Sequence, residues 1–159
     1  MKKVAMALLV FGAAAAVASG PAWGQDKKVE FSVNAGVMTF YGSGFDVSGL
    51  GFTLSPQVDI RVAKGFMISP EFMFLTDSSF SGVIGLPGVI FNYVGKGFFI
   101  GGGAVLPVSI SESAGVGELL PKINIGYRGG HINFTVYTIT AFNGFFKYGL
   151  AGASLGYRF

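Results

Sequence analysis

One histidine, eight carboxylates, eleven basic residues and no cysteine set the chemistry open to this chain of 159 residues. Without cysteine there is no disulfide, thiolate nucleophile or thiolate metal site. His131 stands alone just after Gly129-Gly130, and a catalytic base works only within hydrogen-bond reach of its nucleophile. No paired-carboxylate motif, phosphate-cradling loop or metal-ligand spacing accompanies it, so neither a cofactor nor a catalytic residue is expected. The glycines Gly101 to Gly103 read as strand packing, where small residues allow close approach. The constellation that stands out is one of charge: Glu30, Asp59 and Glu71 with Arg61, Lys122 and Arg128. Six such groups inside a narrow structure have to pair, because unpaired buried charge is costly. They then make either a hydrogen-bonded plug or a charge-lined pathway, and the elements that carry them decide which.

Those elements are not the usual ones of a water-soluble domain. Hydrophobic residues make up 51% of the chain and charged residues only 12%, against about 25% charged in a typical soluble domain. Part of the excess is a leader. Met1-Lys2-Lys3 is followed by the apolar run Val4 to Ala18 and the small-residue stretch "SGPAWG" ending at Gly24, the plan of a secretory signal peptide. The run of 15 residues is shorter than the roughly 20 that span a bilayer as a helix. Cleavage after Ala22 or Gly24 is expected, dividing the chain into a signal peptide at 1–24 and one domain at 25–159. Loss of Lys2 and Lys3 leaves nine basic against eight acidic residues, which removes the footprint of nucleic-acid binding.

Beyond residue 28 the hydrophobic pattern has a period of two, the signature of strands. Eight are expected, at about 29–42, 51–63, 66–77, 83–94, 98–110, 119–128, 131–143 and 146–159. Tight turns at Lys64-Gly65, Gly95-Lys96-Gly97 and Gly129-Gly130 alternate with longer connections. That alternation suits an all-β, eight-stranded antiparallel up-and-down transmembrane barrel with both termini at the tight-turn end. The faces divide accordingly. Phe52, Leu54, Val58 and Ile60 oppose Thr53, Ser55, Gln57, Asp59 and Arg61, and Phe66, Ile68, Phe72 and Phe74 oppose Ser69 and Glu71. The apolar face is too bulky for an eight-stranded interior, so it is expected to meet lipid while the polar face fills the lumen. A Lys or Arg at mid-bilayer on the lipid face costs about 2–4 kcal/mol, and only Lys147, near a rim, lies on that face. Pro56, Pro70, Pro87, Pro107 and Pro121 fall inside strands, where each removes a ladder donor. They read as bends or bulges, the alternative being weakened pairing that admits lipid tails laterally.

Several stretches, "FSVNAGVMTF", "KGFMISPEFMF", "GKGFFIGGGAVLP" and the terminal "GASLGYRF", resemble the small outer-membrane β-barrel domain family of OmpX- and OmpA-type barrels. The resemblance covers most of 29–159 and implies an integral protein of the cell outer membrane. It also implies that the last strand, with Leu155, Tyr157 and Phe159 on one face, is the signal read by the barrel-assembly machinery. Some eight-stranded barrels are lipid-modifying enzymes with a Ser beside their His. Here "HIN" places Asn133 where a deacylase-like pattern has Ser, at the wrong end of the barrel. The expected protein is a monomer with a filled polar lumen, no enzyme, in contact with outer-membrane lipid and lipopolysaccharide, serving a structural or surface-interaction role. A small channel for ions or solutes is the alternative. Phe45, Phe80 and the segment 112–117 belong to the expected outer loops.

Overall fold

The computed structural model describes residues 29–42, 49–78, 82–109, 115–143 and 147–159. The expected leader and the loop residues Phe45, Phe80 and Glu112 lie outside them. The strands are β1 (Val29–Tyr41), β2 (Gly51–Ala63), β3 (Phe66–Asp77), β4 (Val83–Gly95), β5 (Phe98–Val105), β6 (Val108–Ser109), β7 (Leu120–Gly129), β8 (Ile132–Thr140) and β9 (Gly149–Arg158). β5 and β6 run along β4 in one register, from Gly88↔Val105 to Ile84↔Ser109. They are therefore two pieces of a single barrel strand. Each strand is antiparallel to its neighbours, and the sheet closes where β9 pairs with β1, from Ser32↔Arg158 to Tyr41↔Gly149. Closure leaves no unpaired edge along the seam. The result is an eight-stranded antiparallel β-barrel.

The tight turns gather at one end of the barrel. Lys96 and Gly97 both have positive φ, 51° and 87°, the geometry of a two-residue turn whose twist matches its flanking strands. The chain passes both ends of its ladder here as well, since β1 begins and β9 stops beside these turns.

Four of the five in-strand prolines keep the barrel's register. Pro56 faces Val33, Pro70 faces Val89, Pro87 faces Phe72 and Pro121 faces Ala104. Around Pro56 and Pro70 the β2–β3 ladder jumps from Leu54↔Phe74 to Gln57↔Glu71 and then to Ile60↔Ile68. Pairs drop out there while the alignment holds. The one register shift between β2 and β3 lies between Arg61 and Ala63, beside the turn and away from any proline. Of the bends or bulges expected at the prolines, none at these four shifts the register. Only Pro107 breaks a strand, and Leu106 N bridges the break by donating to Pro87 O at 2.9 Å.

Alternation sends Ser32, Asn34, Thr53, Ser55, Asp59, Ser69, Glu71, Asn92, Lys122, Asn124 and Asn133 into the buried interior. The outward face carries Phe31, Val37, Phe52, Leu54, Phe91, Ile100, Ile125, Phe134 and Leu155, all exposed. Two glycines show how the narrow interior is filled. Gly101 lies between Asn92 and Asn124 on the flanking strands, and Gly156 lies between Asn34 and Asn133. A Cβ at either glycine would collide with the amide oxygens of both neighbours. Each glycine thus makes room for two amides at the same level of the barrel.

Toward the long-loop end the interior changes character. Met38, Met73, Leu75, Leu86, Val105, Tyr137, Ile139 and Leu150 form a buried apolar cluster. The expected polar filling thus occupies the tight-turn half and the middle, while the other end is hydrocarbon. Sequence polarity could not reveal this, because inward Leu86 or Leu150 has the same side chain as outward Leu54 or Leu155.

Candidate functional site

Three arginine-bearing positions compete for the lumen at the tight-turn end: Arg61 on β2, Arg128 on β7 and Arg158 on β9. Arg128 extends its guanidinium across the interior, with Nη2 2.7 Å from Glu30 Oε2 and 3.0 Å from Asp59 Oδ2. Arg158 Nη1 meets the same Glu30 oxygen at 3.1 Å, and its other terminal nitrogen donates to the Gly130 carbonyl at the turn. Asp59 is held further by Ser69 Oγ at 2.7 Å and Gln57 Nε2 at 2.6 Å. Asn92 Nδ2 donates in turn to Ser69 Oγ at 2.9 Å. The chain of contacts thus links β4, β3, β2, β7, β1 and β9 around most of the barrel.

A second pair lies deeper. Lys122 Nζ is 2.5 Å from Glu71 Oε1, with both side chains almost wholly buried. Ser55 Oγ donates to the other Glu71 oxygen at 3.5 Å, and the ammonium stands 4.8 Å from the centre of the Tyr137 ring. Cation–π contact of this kind adds to the pairing where water is excluded. Tyr137 marks the boundary, since its hydroxyl reaches Thr53 Oγ1 at 3.4 Å while its ring joins the apolar cluster.

Of the six charges singled out in the sequence, the structure brings together Glu30, Asp59 and Arg128 in one cluster and Glu71 with Lys122 in another. Arg61 belongs to neither. It lies exposed at the tight-turn mouth, past Asp59 and at the start of the register shift. Its place is taken by Arg158 on β9, which alternates with outward Tyr157 and Phe159 and reaches Glu30. Antiparallel pairing of the first and last strands supplies that link, because Arg158 pairs with Ser32, two residues from Glu30. With the substitution, the first cluster has two acids and two bases and the second has one of each. Both are neutral.

His131 is exposed in the turn. Its Nδ1 lies 3.0 Å from the Arg158 carbonyl oxygen, and its ring stacks on Tyr157 at 5.7 Å. Among the described residues no cluster of three His, Asp or Glu side chains has metal-binding geometry.

The terminal residues Leu155, Tyr157 and Phe159 all point outward and are exposed. Phe159 continues the β1–β9 seam by donating its N–H to Phe31 O at 2.9 Å. Its ring packs against Phe31 at 5.7 Å and Tyr157 at 5.2 Å. Other aromatic pairs cross the strands at the same end: Phe66 with Tyr93 at 5.3 Å and Phe98 with Tyr127 at 5.1 Å. Together they make a collar around the outside of the tight-turn rim.

The class this geometry defines is a closed antiparallel barrel of eight strands with an apolar exterior and an ion-paired lumen. No protein-family model matches the chain, and no curated protein sequence matches it.

Proposed function

We propose that the chain is an integral outer-membrane β-barrel of the OmpX/OmpA type, its lumen sealed by its own side chains, with a structural or surface-interaction role. The carrying observation is the inversion of the two faces. Ionised side chains point inward and are paired, while Phe91, Ile125 and Leu155 on the outer wall are each more than half exposed. In water such a wall is an aggregation surface. In a bilayer it is the required surface, and closure of the barrel satisfies every strand edge that hydrocarbon cannot. The aromatic collar suits the membrane–water interface, where amphipathic rings sit at headgroup level.

On this reading the N-terminal leader exports the chain, the barrel-assembly machinery inserts it as a monomer, and the longer loops meet lipopolysaccharide or a surface partner. The neutral clusters favour a plug over a channel, because eight strands enclose little more than their own side chains. The test is refolding of the mature chain into phospholipid vesicles. Heat-modifiable migration on a gel and a β-type circular dichroism spectrum are expected only with lipid or detergent. A monomeric β-fold in plain buffer would overturn the membrane assignment. In planar bilayers the pure protein should give no steady unitary current. Discrete, lasting channels would overturn the plug and favour the pore.

A further inference from the structure

Two hollows meet at the tight-turn rim, where β2, β3 and β4 come together. The first, of about 680 Å³, opens at the mouth of the barrel. Its charged walls are Arg61, Lys64, Arg128 and Arg158, and among the described residues no acidic side chain lines it. The second, of about 470 Å³, is a groove on the outer wall between outward Val62, Phe66, Ile68, Phe91, Tyr93 and Ile100. Val62, Phe66 and Met67 line both hollows. A basic hollow therefore passes directly into an apolar one.

Both halves have a local cause. Ile68 pairs with Phe91 and Phe91 with Gly102, so a row of outward side chains is interrupted at Gly102. A Cβ there would meet nothing nearer than the Lys122 carbonyl oxygen at 3.9 Å, which leaves bare backbone as the floor of the groove. Phe66 and Tyr93, 5.3 Å apart, stand between that floor and the rim. At the rim, Arg128 and Arg158 are already committed to Glu30 and Asp59. Arg61 and Lys64 are exposed and make no ion pair among the described residues. Their two charges are surplus, and Lys96 is exposed in the neighbouring turn.

We infer that this rim binds an anionic phospholipid, with its phosphate on Arg61 and Lys64 and one acyl chain along the groove past Phe66 and Tyr93 to Gly102. The inference rests on the membrane reading above, which sets the groove in hydrocarbon and the rim at headgroup level. Every outward groove of such a barrel meets some acyl chain. This one is set apart by two unneutralised cations at its end. A guanidinium can fork onto two phosphate oxygens, and an ammonium adds a compact positive charge. Each cation near a membrane surface favours an anionic lipid by about five-fold. A zwitterionic headgroup carries its own cation and forfeits most of that gain.

The only tryptophan of the chain, Trp23, falls in the expected leader, so one added to the mature chain is a single fluorophore. Phe91→Trp places it in the groove, and Phe134→Trp places it on the exposed outer face of β8. Each variant is refolded into phosphatidylcholine vesicles with a small fraction of chain-brominated phosphatidylglycerol or, separately, chain-brominated phosphatidylcholine. Heat-modifiable migration checks that each is folded. At equal fraction, brominated phosphatidylglycerol should quench Phe91→Trp several-fold more than brominated phosphatidylcholine, while the two quench Phe134→Trp alike. Adding Arg61→Gln with Lys64→Gln should weaken the association of phosphatidylglycerol at Phe91→Trp by about five-fold or more. Gly102→Leu, which fills the floor of the groove, should weaken it with the cations intact. Equal quenching by the two lipids at Phe91→Trp overturns the anionic site and leaves the membrane reading standing. A preference as strong at Phe134→Trp overturns a local site in favour of general attraction to rim charge. A preference that survives the paired glutamines overturns the assignment to Arg61 and Lys64, and one untouched by Gly102→Leu overturns the groove as the seat of the chain. No quenching by either lipid at either position overturns the membrane reading itself.

Discussion

At the scale of single residues, the ion pairs divide into groups that hold the interior and groups that only border it. Lys122 and Glu71 are buried together, so Lys122→Met leaves a carboxylate without its partner. Such a loss typically costs about 3–5 kcal/mol, read as a lower urea midpoint for unfolding from vesicles. Adding Glu71→Leu should restore most of that loss, because a buried pair exchanged for apolar groups of similar volume is often near neutral. A double variant no more stable than the single one would show that the pair contributes beyond mutual neutralisation. Arg61 and Arg158 make the complementary test. Arg61→Ala, at an exposed site, should change stability by no more than about 0.5 kcal/mol. Arg158→Ala removes a part-buried ion pair with Glu30 and the bond to the Gly130 carbonyl at the turn, and should cost clearly more in the same assay. The sequence made Glu30, Asp59, Glu71, Lys122 and Arg128 legible because charge on the polar parity of a strand has nowhere else to go. It misassigned Arg61 because parity says which way a side chain points and not how far along the barrel it lies. Beside a turn, the inward direction is already the mouth.

At the scale of elements, the period of two carried almost all the information. Strand positions were legible to within a few residues because apolar alternation and Gly-basic turns reinforce each other, as in β2–β3 around Lys64-Gly65. The apolar end of the lumen was not, since inward Met73, Leu75 and Leu86 break no hydrophobic rule. Nor was the behaviour of the prolines. The donor missing at Pro121 leaves the neighbouring pairs of its ladder to β5 intact, and around Pro56 and Pro70 pairs drop out of the β2–β3 ladder without shifting it, so register survives, whereas Pro107 stands where the ladder to β7 has already ended. Adjacent glycines of β5 allow a test of the element's packing. An added Cβ at Gly101 would meet Asn92 and Asn124 from both sides, while at Gly102 its nearest contact is the Lys122 carbonyl oxygen at 3.9 Å. Gly101→Ala should therefore destabilise by about 1–3 kcal/mol, the usual cost of overpacking, and Gly102→Ala should be near neutral in urea titrations. Shortening Asn92 and Asn124 to Ala in the Gly101→Ala background should recover part of the loss by relieving the collision. Equal effects at the two glycines would mean that backbone freedom, not space for the amides, explains the run of three.

At the scale of the whole molecule, the barrel exists only once its first and last strands meet. Every other neighbouring pair is joined by a turn or a loop, but β1 and β9 are the two ends of the sheet and must find each other across the chain. That search pays loop-closure entropy before its contacts form, so the seam is the natural place for an assembly device. Phe159 lies at the end of it, with its N–H on Phe31 and its ring against Phe31 and Tyr157. Two roles are separable by experiment. As a stabilising contact, the ring contributes one exposed aromatic cluster, of the order of 1 kcal/mol, and its deletion should shift the urea midpoint of the refolded barrel only slightly. As a recognition signal, it acts before the barrel closes, and its deletion should lower the yield of heat-modifiable barrel in cells several-fold. Truncating residues 43–48, between β1 and β2, should leave that yield unchanged, because the β1–β9 pairing runs from Ser32↔Arg158 to Tyr41↔Gly149. A deletion variant assembled in cells at the yield of the intact chain would remove the signal from Phe159 and leave the barrel standing. A large loss of stability in vesicles, matching the loss in cells, would instead make Phe159 the clasp that keeps the closed barrel shut.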